Sequence, residues 1–150
     1  VSTISRLDIV KGRSTEIFDP NAPITRAEFA TICARFDHSS VEGTESFSDI
    51  HGHWAEKFVE RAAALGWVNG YMDGTFRPNT TITRAEAMAM INRVLGRLPE
   101  SEKDLLPGMK TWPDNADPSA WYYLTIQETT NGHTFERKAD GVHERWIKLK

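Results

Sequence analysis

Ile82-Thr83-Arg84-Ala85-Glu86 decides how this chain is read, because the same five residues stand at Ile24-Thr25-Arg26-Ala27-Glu28, 84 − 26 = 58 positions earlier. Each copy follows a proline-bearing lead, Phe18-Asp19-Pro20-Asn21 and Phe76-Arg77-Pro78-Asn79. The register continues without a gap through Leu7/Leu65, Val10/Val68, Gly12/Gly70 and Arg35/Arg93. Repetition at this period makes a small supersecondary module the unit of the fold. Thr-x-x-Glu is a capping box: Thr25 or Thr83 accepts from the backbone N–H three residues on, and Glu28 or Glu86 reaches back to the cap's own N–H. Apolar residues then recur at helical spacing, as Phe29, Ile32, Cys33 and Phe36 and as Met90, Ile91, Val94 and Leu95. Each copy therefore predicts a helix with a fixed start.

Arg26 and Arg84 stand apart from that logic. They occupy N1, where the helix macrodipole favours acids over cations. Two readings stay open: a solvated or salt-bridged surface arginine, or a cation beside free helix N–H groups that together bind an anion or carboxylate.

The chain has 150 residues, 39% apolar and 26% charged, ordinary for a globular chain with room for a core. A net charge of −3 and a pI near 6.0 argue against nucleic acid as the main partner. No apolar run reaches membrane-spanning length, so no membrane insertion is expected, and no signal-peptide pattern stands at Val1. The single cysteine, Cys33, aligns with Ile91 on the apolar helix face and reads as a small core residue.

In chain order, residues 1–12 read as the tail of a truncated helix ending at Gly12, so the chain is expected to begin partway through a repeat of a longer or processed protein. Residues 37–46 read as a polar linker. Trp54, Phe58, Ala62 and Leu65 share one helical face, with Gly66 as a C′ stop. By this spacing Trp54, like Trp121 below, is expected in the core. Gly70-Tyr71-Met72-Asp73-Gly74-Thr75-Phe76 is a turn-rich connector to a second helix running to about Gly96. Residues 97–111 read as another linker. Trp112-Pro113-Asp114 then matches Phe47-Ser48-Asp49, and Trp121 to Gln127 opens a helix that Asn131-Gly132 ends. No third Thr-Arg-Ala-Glu appears; the segments flanking Asp140-Gly141 read as a short hairpin or extended tail.

Phe-x-Asp…His-Trp-Ala, Gly-Tyr-x-Asp-Gly-Thr-Phe-x-Pro and Ile-Thr-Arg-Ala-Glu together resemble the S-layer homology module. The resemblance divides the chain into repeat 1 at 1–36 (N-terminally truncated), repeat 2 at 47–97 (complete) and repeat 3 at 112–150 (degenerate, with its second half replaced). It implies a mostly all-α fold, tandem helix–loop–helix repeats in a pseudo-threefold bundle with grooves between repeats. It also implies a secreted, non-catalytic module of the bacterial cell wall or S-layer that anchors an exported protein by binding secondary cell-wall polysaccharide, with an anionic, pyruvylated sugar as one form. A ketal pyruvate is a carboxylate, apt for an arginine at a helix N-terminus. The carbohydrate-binding residues expected on this basis are Arg26, Arg84, Tyr71, Asp73, Gly74, Asp49 and Trp112. Thr25, Glu28, Thr83, Glu86, Trp54 and Trp121 are expected to be structural. A structural role, in self-assembly or contact with other surface-layer subunits, is the alternative.

Asp49-x-His51-x-His53 has the spacing of a metal site, but repeat 3 keeps neither histidine and no fourth ligand is evident; Asp49 reads instead as ordering its loop. Asp73-Gly74 reads as a turn, since the other acids of a calcium loop are missing. Glu28 and Glu86 are accounted for as caps, so no catalytic pair, metal or cofactor is expected.

Overall fold

The computed structural model describes residues 9–14, 16–37, 41, 43 and 47–150. Residues 1–8 of the expected helix tail and most of the 37–46 linker lie outside them; residues 9–12, the end of that expected helix, are not helical. Among the described residues four α-helices follow in order: α1 (Arg26–Ala34), α2 (Glu56–Ala64), α3 (Arg84–Val94) and α4 (Tyr123–Thr130). Two 3-10 turns, Glu102–Asp104 and Pro113–Asn115, and an antiparallel hairpin, β1 (His133–Arg137) with β2 (Glu144–Leu149), complete the set. The chain divides into two compact units, Val1–Ile82 and Thr83–Lys150.

The mostly all-α expectation is corrected. The helices run for only 8 to 11 residues, loops make up much of the chain, and unit 2 contains a two-stranded sheet. Helices this short are marginal alone, and side-chain hydrogen bonds into the loops take over much of the ordering. The expected hairpin around Asp140-Gly141 is present, with Glu136 opposite Arg145 and an irregularity between Thr134 and Phe135.

Both capping boxes form. Thr25 accepts from the Glu28 N–H at 3.2 Å while the Glu28 carboxylate accepts from the Thr25 N–H at 2.7 Å. The second copy gives 3.2 and 2.9 Å. α2 ends before Gly66, whose φ of +71° is the left-handed C′ conformation that the sequence pattern predicted.

In α1 and α3 the buried stripes match the ones that periodicity selected only at Cys33 and Met90. In α1 the buried positions are Arg26, Ala27, Ala30, Thr31, Cys33 and Ala34, while Phe36, beyond the helix, is 53% exposed. In α3 they are Ala89, Met90 and Asn92, and Leu95 is exposed. Small residues face the neighbouring helix because α1 packs on α2, and α3 on α4, at close range. The large apolar residues flank the contact. Asn92 is accommodated by donating to the Thr125 carbonyl at 3.1 Å and accepting from the Thr129 hydroxyl at 3.0 Å.

The core placement of Trp54 and Trp121 is also corrected: they are 59% and 62% exposed. α2 starts at Glu56 and α4 at Tyr123, so both tryptophans precede their helices and helical spacing does not govern them. In unit 1 the core includes Ile50, Ala55, Val59, Ala62, Val68 and Phe76 with Ala27, Ala30, Cys33 and Ala34 of α1, and the expected core place of Cys33 holds. In unit 2, Leu105, Tyr123 and Trp146 form the core with Leu106, Met109, Leu124 and Leu149 against it. Leu105 and the buried Asp104 come from the segment expected to be a linker. The Asp104 carboxylate accepts from the Glu100 and Ser101 N–H groups and from Lys138, which orders that segment.

Candidate functional site

In unit 1 the two repeats meet at Arg26. Its N1 position points the side chain away from its own helix, into the connector of repeat 2. Nε donates to the Phe76 carbonyl at 2.9 Å and Nη2 to the Asn69 carbonyl at 3.3 Å, and the guanidinium lies 4.8 Å from the ring centres of both Tyr71 and Phe76. Only 4% of Arg26 is exposed. The α1 N-terminus is satisfied by the same segment: the Arg26 N–H donates to the Thr80 carbonyl at 2.9 Å and the Ala27 N–H to the Pro78 carbonyl at 3.0 Å. The free helix N–H groups that the anion reading needs are thus engaged here by the fold itself.

The connector is ordered by acids. Asp49 accepts from the Phe76 and Arg77 N–H groups, both at 2.7 Å. Asp73 accepts from the Thr75 N–H and hydroxyl and from Arg77; these bonds, Thr75's first, lower its carboxyl to about 2. Arg77 lies 3.8 Å over the Tyr71 ring. Gly70 is required by close approach, since a Cβ there would sit 2.5 Å from the Phe47 ring. Asp19 and Arg77, one repeat apart, both adopt left-handed backbone, φ 58° and 59°, a shared turn that their side chains do not announce.

Beside α1 opens a cavity of about 720 Å³. Its walls include Lys11, Arg13, Arg35, Glu28, Ile32 and Trp54. Arg13 pairs with Glu28 at 3.2 Å and Asp19 at 3.5 Å, and Arg35 reaches the Ile9 carbonyl and lies over the Phe58 ring. The Thr31 hydroxyl, on a residue lining this cavity, is buried without a hydrogen-bond partner. Cys33 is buried near it in α1, its thiol pushed up to about 11 by burial.

In unit 2 the same pentapeptide has a different setting. Arg84 is exposed, and among the described residues its guanidinium has no hydrogen bond, ion pair or aromatic partner. After Arg84 the sequence has no second Gly-Tyr-x-Asp-Gly-Thr-Phe connector to clamp it. Trp112 Nε1 donates to the Thr130 hydroxyl at 3.1 Å and Lys110 covers its ring at 3.9 Å. His51 and His53 do not converge with Asp49: His51 meets Glu56 and His53 meets Asn79.

Sequence reasoning missed one constellation. Glu128 of α4, His133 of β1, Glu144 of β2 and Arg97 after α3 come together, with the first three buried. No local spacing encodes it, because the hairpin pairing assembles it.

Capped helices recurring with an N1 arginine, one clamped and one in solvent, make this a repeat-built module. Residues 1–30 and 46–88 match the model of the S-layer homology domain. The chain belongs to the S-layer homology family. It is 35% identical, over 94% of its length, to Cell surface glycoprotein 1 of Acetivibrio thermocellus, and 34% identical, over 99%, to the Cellulosome-anchoring protein of the same organism. It is 28% identical over 95% to an Endoglucanase of a Bacillus species. The chain spans only 6%, 33% and 16% of those relatives. Among the described residues, no helix is long and apolar enough to cross a membrane.

Proposed function

We propose that this chain anchors a larger exported protein noncovalently to the bacterial cell envelope by binding anionic secondary cell-wall polysaccharide, with a pyruvylated sugar as the recognised group. The observation that carries the reading is the unit 1 cavity, where a 59% exposed Trp54 stands beside Lys11, Arg13 and Arg35. An exposed indole offers a stacking face for a sugar ring, and the cations suit a carboxylate. Tyr71, Asp73, Gly74 and Asp49 act here through the connector they order, and Arg26 through its clamp on that connector. Arg84 supplies a second, separate anion contact, and Trp112 a further aromatic one. The relatives support the anchoring half of the reading, since one is named for anchoring a cellulosome and another is a cell-surface glycoprotein. The Endoglucanase fits a module attached to varied cargo, and no catalysis is proposed for this chain.

The test is cosedimentation with purified cell walls before and after chemical removal of their secondary polysaccharide, using wild type, Trp54→Ala and Arg84→Ala. Binding should require the polysaccharide and drop at least tenfold in Trp54→Ala, with circular dichroism unchanged because Trp54 lies outside the core. Equal binding to stripped walls, or full binding by both variants, refutes the proposal. The exposed Leu95, Trp121, Val142 and Ile147 of unit 2 favour a second reading, contact with another surface-layer subunit, which light scattering of the mass in solution tests.

A further inference from the structure

Unit 2 buries two carboxylates against one guanidinium. Glu128 and Glu144 have side chains only 3% and 0% exposed. Arg97 bridges them, Nη2 to Glu128 Oε1 at 2.7 Å and Nε to Glu144 Oε2 at 2.9 Å. On their other oxygens sits His133 Nε2, 3.3 Å from Glu128 Oε2 and 3.3 Å from Glu144 Oε1, and the Arg97 guanidinium also abuts it. His133 Nδ1 donates to the Asn131 carbonyl at 2.8 Å, which fixes the ring and leaves Nε2 facing the acids. The Trp146 ring stacks on His133 with centres 4.0 Å apart, and its Nε1 donates to Glu128 Oε2 at 2.8 Å.

The charges do not balance. Two carboxylates and one guanidinium leave one negative charge in excess in a site closed by an indole, and an uncompensated buried charge is strongly destabilising. The three ligand-type groups are close enough to hold a metal ion. Arg97, however, occupies the side from which a cation would bridge the carboxylates. A proton fits with every group where it stands.

We infer that the Glu128–His133–Glu144–Arg97 cluster is a proton-dependent clasp that holds the β1–β2 hairpin to α4 and releases it as pH rises. The proton resides on the Glu128 carboxyl, and its loss leaves the excess charge in a cluster built from α4, β1 and β2. The direction of the Glu128 carboxyl agrees: burial first, and then the neighbouring Glu144, raises it to about 7. A carboxyl raised on folding contributes stability that is fully present below its ordinary value near 4.5 and lost as pH climbs through about 7. Other charged groups of the hairpin are engaged away from the cluster, and Arg137 donates to the Gly96 and Val142 carbonyls. His143 meets Asp140 at 2.7 Å in the turn, and Lys138 with Arg145 meets Asp104, with Glu100 on Lys138.

Hydrogen exchange of the full chain between pH 5 and 8.5, in the presence of a chelator, tests the clasp. After correction for intrinsic exchange, protection over residues 133–149 should fall roughly 100-fold across this range, following a carboxyl displaced by a few pH units. Glu128→Gln and Glu144→Gln each leave one carboxylate for Arg97, so either should flatten the profile; using both covers the case where one fails to fold. A flat wild-type profile overturns the inference. So does a pH dependence that survives in both variants, which would place its source outside the two carboxylates. A pH dependence abolished when zinc replaces the chelator in the wild type overturns it as well, by making the site a metal site.

Discussion

Arg26→Ala should destabilise unit 1 selectively. The substitution removes two hydrogen bonds from a charged donor, each of about 1.5–3 kcal/mol, and leaves the Phe76 and Asn69 carbonyls without it. It also removes a cation positioned over two rings, about 0.5–2 kcal/mol. Against this stands the relief of no longer burying a guanidinium, so a net loss of about 3–5 kcal/mol is expected. A unit of this size is stable by only about 4–12 kcal/mol, so the loss is a large share of the total. Because the chain has two units, a global melt would mix them. Cys33, buried in α1, reports on unit 1 alone through the rate at which a thiol reagent reaches it. The expected result is labelling about 100-fold faster or more in Arg26→Ala, an intermediate rate in Arg26→Lys, whose single amine cannot span both carbonyls, and no change in Arg84→Ala. A stability for Arg26→Ala within about 1 kcal/mol of wild type would refute the clamp.

Asp49→Ala should cost about 2–4 kcal/mol, because two backbone N–H groups lose a charged acceptor at once; urea titration followed by exchange at residues 70–77 measures it, and a loss below about 1 kcal/mol contradicts the loop-ordering role. In the native protein Cys33 should resist thiol reagents at pH 8, since a thiol held near 11 is almost wholly protonated and also buried. Stoichiometric labelling within minutes in native buffer would refute that.

The starts of α1 and α3 were legible in the sequence because a capping box is a local device, and Thr25, Glu28, Thr83 and Glu86 sit where the pattern put them. The stop at Gly66 was legible for the same reason. What lay outside reach was which helix face is inside. Hydrophobic periodicity chose Phe36 and Leu95, yet Ala30, Ala34 and Ala89 are buried, because close helix pairing selects for small size rather than apolarity. Trp54 and Trp121 were misplaced through an error of only a residue or two in where their helices begin. The role of Arg26 could not be read from its motif at all. It depends on carbonyls 43 and 50 positions away, and the identical Arg84 has no such loop to meet. The buried Glu128 cluster was invisible for the same reason, since it exists only once β1 and β2 pair.

That contrast makes Arg84 the sharper test of what the pentapeptide does beyond capping. A cation at N1 opposes the macrodipole of its own helix by about 0.3–1 kcal/mol. In α1 the opposition is offset by the contacts of Arg26, but around Arg84 the described residues offer nothing in return. Arg84→Glu should therefore leave unit 2 slightly more stable, by up to about 1 kcal/mol, as an acid replaces a cation beside the α3 N–H groups. The same change should weaken cell-wall binding further than Arg84→Ala does, because it sets a carboxylate against an anionic polymer. Exchange protection of residues 84–94 and cosedimentation read the two effects independently. If Arg84→Glu destabilises α3 by more than about 1 kcal/mol, Arg84 is held by a structural partner. If stability rises while binding is unchanged, Arg84 is a solvated residue copied with its repeat, and Trp54 with its neighbouring cations must account for the binding.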